Sequence, residues 1–118
     1  MRHRVKGKKF NRETGPRRSF LRILVNNAIR KERIETTEAR AKAIRPIIER
    51  SVTLAKKGTL ASRRLLLSRL HDEKVVKKLV EEIAPRYAKR AGGYLRIIKS
   101  ARTRKRDGGS IAIIEFVK

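Results

Sequence analysis

Cysteine is absent from all 118 residues, which excludes disulfides, cysteine-ligated zinc and thiol chemistry. Tryptophan is absent too, and Phe10, Phe20, Tyr87, Tyr94 and Phe116 are the only aromatic residues, so a core must be built from aliphatic side chains. The two histidines, His3 and His71, have no second histidine at metal-ligand spacing. Aspartate is confined to Asp72 and Asp107, too few to converge on magnesium as a nuclease requires. No glycine-rich phosphate loop, activated serine or carboxylate pair stands out. On these grounds no enzymatic activity, cofactor or metal site is expected. No apolar run approaches the roughly 20 residues that span a bilayer. The charged N-terminus has no apolar middle of the signal-peptide kind, so the expected location is the cytoplasm.

Acid is scarce as well: 11 Asp and Glu stand against 34 Lys and Arg, a formal net charge of +23. A compact domain of this size repels itself at such a charge unless an anion screens it. The length fits one domain with a small core, burying about two thirds of its unfolded surface.

Residues 33–58 organise the rest. Arg33 to Thr36 reads as extended, and Thr37 offers an oxygen to cap a helix with Glu38 in its first turn. Ala41, Ile44, Ile47, Ile48, Val52 and Ala55 recur at threes and fours and form one apolar stripe. Lys56, Lys57 and Gly58 close the helix. Pro46 removes a donor inside the run and crowds the carbonyl of Lys42, which predicts a kink or a restarted helix. Before this stretch, Pro16 to Lys31 predicts a helix packing through Phe20, Leu21, Leu24, Val25, Ala28 and Ile29. After it, Thr59 caps a third helix, Leu60 to about His71, with Leu66, Leu67 and Leu70 inward. Asp72 opens a fourth, with Val76, Leu79, Val80 and Ile83 inward, Lys77 and Lys78 paired at i+4 with Glu81 and Glu82, and an end at Ala84 before Pro85. The acids Asp72, Glu73, Glu81 and Glu82 form a patch expected to face away from nucleic acid, towards a basic protein neighbour. Tyr94 to Ser100 and Ser110 to Val117 read as strands, the second with Ala112, Ile114 and Phe116 on one face.

Two basic segments frame this body. Residues 1–15 form an extension carrying Arg2, His3, Arg4, Lys6, Lys8, Lys9 and Arg12, with Gly7 and Gly15 allowing close backbone approach to phosphates. Arg17, Arg18 and Arg22 follow at the start of the globular domain, residues 16–118. Between Arg86 and Arg106 nine residues are basic and none is acidic. The loop at 101–109 brings Arg102, Arg104, Lys105 and Arg106, and returns through Asp107, Gly108 and Gly109. Two separated contacts with one polyanion are expected. Duplex DNA recognition would call for a helix-turn-helix, zinc finger or basic zipper, none of which is visible. Membrane binding would need bulky apolar partners among the basic residues. Folded RNA fits better, because its phosphates lie at irregular angles that a rigid body with projecting arms can reach. The alternative is a DNA-compacting architectural protein.

The residues then become more specific. Met1-Arg2-His3-Arg4, Gly7 and Lys9-Phe10-Asn11-Arg12 open the chain. Arg33-Ile34, Thr36-Thr37, Ala41-Lys42 and Thr53-Leu54-Ala55-Lys56 follow, then Ala84-Pro85-Arg86-Tyr87, Arg90, Gly92-Gly93-Tyr94 and Arg96-Ile97. Asp107 and Ile113-Ile114-Glu115-Phe116-Val117 complete the series. These four blocks, in order over the whole chain, closely resemble the bacterial large-subunit ribosomal protein seventeen family. Two departures are Arg17, where the family often has histidine, and Pro46, where its central helix usually has no proline.

The resemblance implies an α+β fold: a two-layer α/β domain of about four helices packed on a small mixed sheet of three strands, in which Arg33 to Thr37 joins the two C-terminal strands. It also implies a structural constituent of the large ribosomal subunit, bound to 23S ribosomal RNA and adjoining large-subunit protein thirty-two. By the same resemblance Arg2, His3, Arg4, Gly7, Lys9, Asn11, Arg12 and Arg18 lie against RNA. Arg86, Arg90, Tyr94 and Arg96 become candidates for further contacts or for bracing the sheet.

Overall fold

The computed structural model describes residue 10, residues 12–105 and residues 108–118. Its elements run α1 (Thr14–Lys31), β1 (Arg33–Thr37), α2 (Glu38–Lys56), α3 (Leu60–Leu70), α4 (Glu73–Lys78), a π-helical segment (Leu79–Ile83), α5 (Ala84–Arg86), β2 (Leu95–Thr103) and β3 (Ser110–Phe116). One layer is helical and the other is the sheet, so the expected α+β architecture holds. The sheet has the order β1-β3-β2, and both pairings are antiparallel. This corrects the expected mixed sheet: β1 runs against β3 because α2 leaves its end and the chain returns from the far side of the body.

Strand alternation sorts the sheet into two faces. Ile34, Ile97, Leu95, Ala112, Ile114 and Phe116 pack inward, where they meet the apolar stripe of α2. Ala41, Ile44, Ile48, Val52 and Ala55 of that stripe are buried, and Ile47 is half-buried. The helix caps form as expected. Thr37 Oγ1 accepts from Arg40 N–H at 3.3 Å, Thr59 Oγ1 from Ser62 N–H at 3.1 Å, and Asp72 Oδ1 from Lys74 N–H at 3.0 Å. Gly58 takes a φ of 64° after α2, the left-handed conformation that ends a helix at least cost.

Four details differ from the sequence reading. First, α1 starts at Thr14, two residues before Pro16. Second, α2 runs unbroken through Pro46, whose ring is exposed, so no restart occurs. Third, Leu67 is exposed on α3, and the buried face is Ser62, Leu66 and Leu70 at a strict i, i+4, i+8 spacing. Fourth, the last helix passes Pro85 instead of stopping at Ala84. Its preceding turn widens, with Ala84 N–H bonding Leu79 C=O, so the carbonyl a proline ring would crowd in tight α geometry is moved away. The widened turn also changes the side-chain register. Glu81 lies 3.7 Å from Arg63 of α3, and Lys78 reaches Glu32 and the Arg30 carbonyl, in place of the expected i+4 pairs.

Candidate nucleic-acid interface

The N-terminus of α2 is the place where the two basic segments meet. A hollow of about 560 Å³ opens there, lined by Phe10 and Arg12 before α1, by Thr37, Glu38, Ala39, Arg40 and Lys42 of the β1–α2 junction, and by Arg104, Gly109 and Ser110 of the β2–β3 hairpin. The root of the N-terminal segment and the basic hairpin therefore adjoin, where sequence reading had separated them. Four cations face one carboxylate. That carboxylate, Glu38, is already engaged by Lys42 at 2.8 Å and Lys99 at 3.4 Å. The hydrogen bond from Lys42 outweighs burial and holds Glu38 below the usual carboxylate range. Backbone amides at the start of a 19-residue helix add positive potential to the same hollow.

Phe20 fixes the cations on one side. Its ring centre lies 3.8 Å from the Arg12 guanidinium, 4.9 Å from that of Arg40 and 5.7 Å from the Phe10 ring. Guanidinium groups laid on an aromatic face are oriented without losing their charge. Arg12 also donates to the Phe10 carbonyl at 2.8 Å. On the other side Arg104 N–H bonds Gly109 C=O and Gly108 N–H bonds Arg104 C=O, each at 3.0 Å, closing the hairpin. The Arg104 side chain lies so close over Gly109 that a β-carbon there would sit 2.8 Å from its nitrogens. A side chain at 109 would therefore make the end of this flexible arginine shift.

The remaining candidates sort by what they touch. Arg2, His3, Arg4, Lys6, Gly7, Lys8, Lys9, Asn11 and Arg106 lie outside the described residues. Arg17, Arg18 and Arg22 stand on α1, and Arg18 and Arg22 line a second groove with Arg50 and Arg69. Lys105 is exposed in the hairpin turn. Arg102 belongs to β2, which extends to Thr103, so the expected loop at 101–109 is shorter. Three residues of β2 stand where β3 has only Ile111, and this bulge precedes the turn. Arg102 reaches across β3 to both carboxylate oxygens of Glu35, at 2.6 and 2.7 Å.

Bracing describes the others. Arg33, Glu115 and Arg96 share one row across all three strands, with Glu115 bonded to Arg96 at 2.6 Å and 3.5 Å from Arg33. Arg86 donates to Glu32, and Arg90 donates to Gly92 C=O at 3.1 Å. Tyr94 is buried, with its hydroxyl 3.2 Å from both Thr53 Oγ1 and Lys56 Nζ and its ring against Tyr87. Of the two roles expected for Tyr94, further contact or bracing, these contacts are those of bracing. Arg40 and Lys42 were missed. Arg40, a cation in the first turn of α2, runs against the helix dipole, and that conflict was the signal in the sequence.

Comparison with known proteins gives the family. The family described as Ribosomal protein L17 matches residues 20–117. The chain belongs to the Ribosomal protein L17 family. A relative from Hydrogenobaculum sp. is 50% identical over 118 residues, covering all of both chains. One from Thermodesulfovibrio yellowstonii is 51% identical over 117 residues, 99% of this chain and 87% of the relative. One from Fusobacterium nucleatum is 48% identical over 117 residues, 99% of this chain and all of the relative. Each of these L17 relatives bears the name Large ribosomal subunit protein bL17. The L17 match starts at Phe20, the residue on which Arg12 and Arg40 rest.

Proposed function

We infer that this chain is a structural constituent of the bacterial large ribosomal subunit, and that it binds and stabilises folded 23S ribosomal RNA through phosphate and shape contacts. The names of its L17 relatives support the ribosomal role. The hollow at the α2 N-terminus supports the RNA contact. There Arg12, Arg40, Lys42 and Arg104 converge with helix amides on a space that one phosphate-bearing strand can enter. The basic residues that precede Phe10 are joined to the body at this rim, so Arg2, Arg4, Lys6, Lys8 and Lys9 extend the same contact along the backbone of the RNA. Arg18 and Arg22 on α1 and Lys105 in the hairpin turn add contacts, as does Arg106 next to Lys105 in the sequence, while Arg86, Arg90 and Arg96 hold the fold that presents them. Asp72 and Glu73 at the start of α4, which packs on α1 and α3, and Glu81 and Glu82 in the π-helical segment line neither the hollow nor the second groove, and suit a basic protein neighbour such as large-subunit protein thirty-two. The role is structural and carries no catalysis, and its place is the cytoplasm, within the ribosome.

Sedimentation of the tagged chain from cells tests this. It travels with large ribosomal particles, and in competition binding at physiological salt a 23S fragment displaces it from duplex DNA. A chain that stays at the top of the gradient and binds duplex DNA equally well would favour a DNA-compacting role.

A further inference from the structure

Helices α1, α2 and α3 leave between them a groove of about 430 Å³. Leu21, Val25, Ile47 and Leu70 form its apolar floor, of which Leu21 and Ile47 are half-buried and offer surface. Arg18, Arg22, Arg50 and Arg69 rim it, and no acidic residue lines it. None of these four arginines enters an ion pair among the described residues. Other arginines of the body are paired: Arg30 with Asp72, Arg86 with Glu32, Arg96 with Glu115 and Arg102 with Glu35. Four like charges around one groove repel each other and have no acidic partner among the described residues, Arg22 donating only to Ser19 Oγ at 3.5 Å, so the matching anion comes from outside.

The floor says which anion. A bare phosphate stays hydrated and gains nothing from Leu21 and Ile47. A nucleotide has both parts, a phosphate for the rim and a flat, weakly hydrated base for the floor. Bases free to leave the stack are those of loops and bulges in folded RNA, and they stack on guanidinium planes as well as on aromatic rings. We propose that this groove receives one unpaired nucleotide turned out of the RNA, with its base on Leu21 and Ile47 and its flanking phosphates held by Arg18, Arg22, Arg50 and Arg69. The site rests on the RNA-binding reading and adds a second contact to it. It lies along the α1–α2 seam, with Arg50 about 15 Å beyond Arg40 at the usual helical rise.

The test uses the full chain and two RNA hairpins with the same stem, one fully paired and one with a single bulged 2-aminopurine. The intact chain binds the bulged hairpin about tenfold more tightly, the gain expected from stacking one base, and changes the fluorescence of the bulged base. The double variant Arg50→Ala, Arg69→Ala alters only exposed positions on helices, where alanine is well tolerated, and circular dichroism checks that its helix content is unchanged. It binds both hairpins equally, with a salt slope smaller by about 1.5. Equal binding of the two hairpins by the intact chain, or a bulge preference that survives in the double variant, overturns the groove and leaves RNA binding standing. Failure to bind either hairpin overturns RNA binding itself. A glutamate-rich peptide whose binding alone is lost in the double variant would assign the groove to an acidic protein.

Discussion

Tyr94 belongs to the side chains that build the body. Its ring is buried against Tyr87, and its hydroxyl joins Thr53 and Lys56 of α2 to the start of β2. Replacing Tyr94 with phenylalanine keeps the ring and removes those bonds, so urea titration is expected to show a loss of about 0.5–1.5 kcal/mol. RNA affinity is expected to stay the same. Lost affinity at unchanged stability would make Tyr94 a contact instead. The resemblance left Tyr94, Arg86, Arg90 and Arg96 between two roles, further contact or bracing of the sheet, and each of the four side chains makes a contact within the body. Arg96 and Arg102 look alike on paper to Arg104, and only the register of β2 against β3 shows that the first two face Glu115 and Glu35 while the third reaches the hollow.

Between elements, carboxylates stitch the helices together. Glu32, in a left-handed backbone conformation at the end of α1, accepts from Arg86 and lies 3.7 Å from Lys78. The hydrogen bond from Arg86 holds Glu32 below its ordinary value of 4.5. Backbone N–H donors of α4, Val75 first, together with Arg30 of α1 hold Asp72 below its ordinary 3.8. Groups depressed in this way stabilise the fold above their unfolded values, and that contribution is lost as pH falls through the folded ones. The thermal midpoint is therefore expected to decline as pH drops below about 4.5. A Glu32→Gln, Asp72→Asn variant, which removes the titrating groups while asparagine can still cap, is expected to decline less steeply. A variant with an unchanged pH profile would show that these pairs do not link the helices.

The elements themselves were legible because α1, α2 and β3 carry unambiguous periods and because Thr37, Thr59 and Asp72 cap where their oxygens suggested. Pro85 was misread because a local rule about prolines was applied without the packing that lets the turn before it widen. Strand β1 carries little pattern of its own, since Arg33 and Glu35 alternate with only Ile34 and Thr36 inward; its extended backbone was read from these residues, and its place in the sheet through family resemblance.

Across the whole molecule, the charge of +23 is unevenly compensated. Sheet arginines and the α1–α4 seam have carboxylate partners, Arg12, Arg40, Lys42 and Arg104 gather at the hollow around one carboxylate, Glu38, and Arg18, Arg22, Arg50 and Arg69 surround a groove that no acidic residue lines. Composition alone announced a polyanion, but which cations remain for it depended on distances that no spacing in the sequence encodes. The direct measurement is the salt dependence of binding to a 23S ribosomal RNA fragment by the intact chain and by an Arg12→Ala, Arg40→Ala, Arg104→Ala variant. With about eight phosphates neutralised, the slope of log affinity against log salt is expected to be roughly −6 to −7, and shallower by roughly 2 to 3 in the variant, with helix content preserved. An intact chain whose affinity ignores salt, or a variant whose slope matches it, would contradict the account.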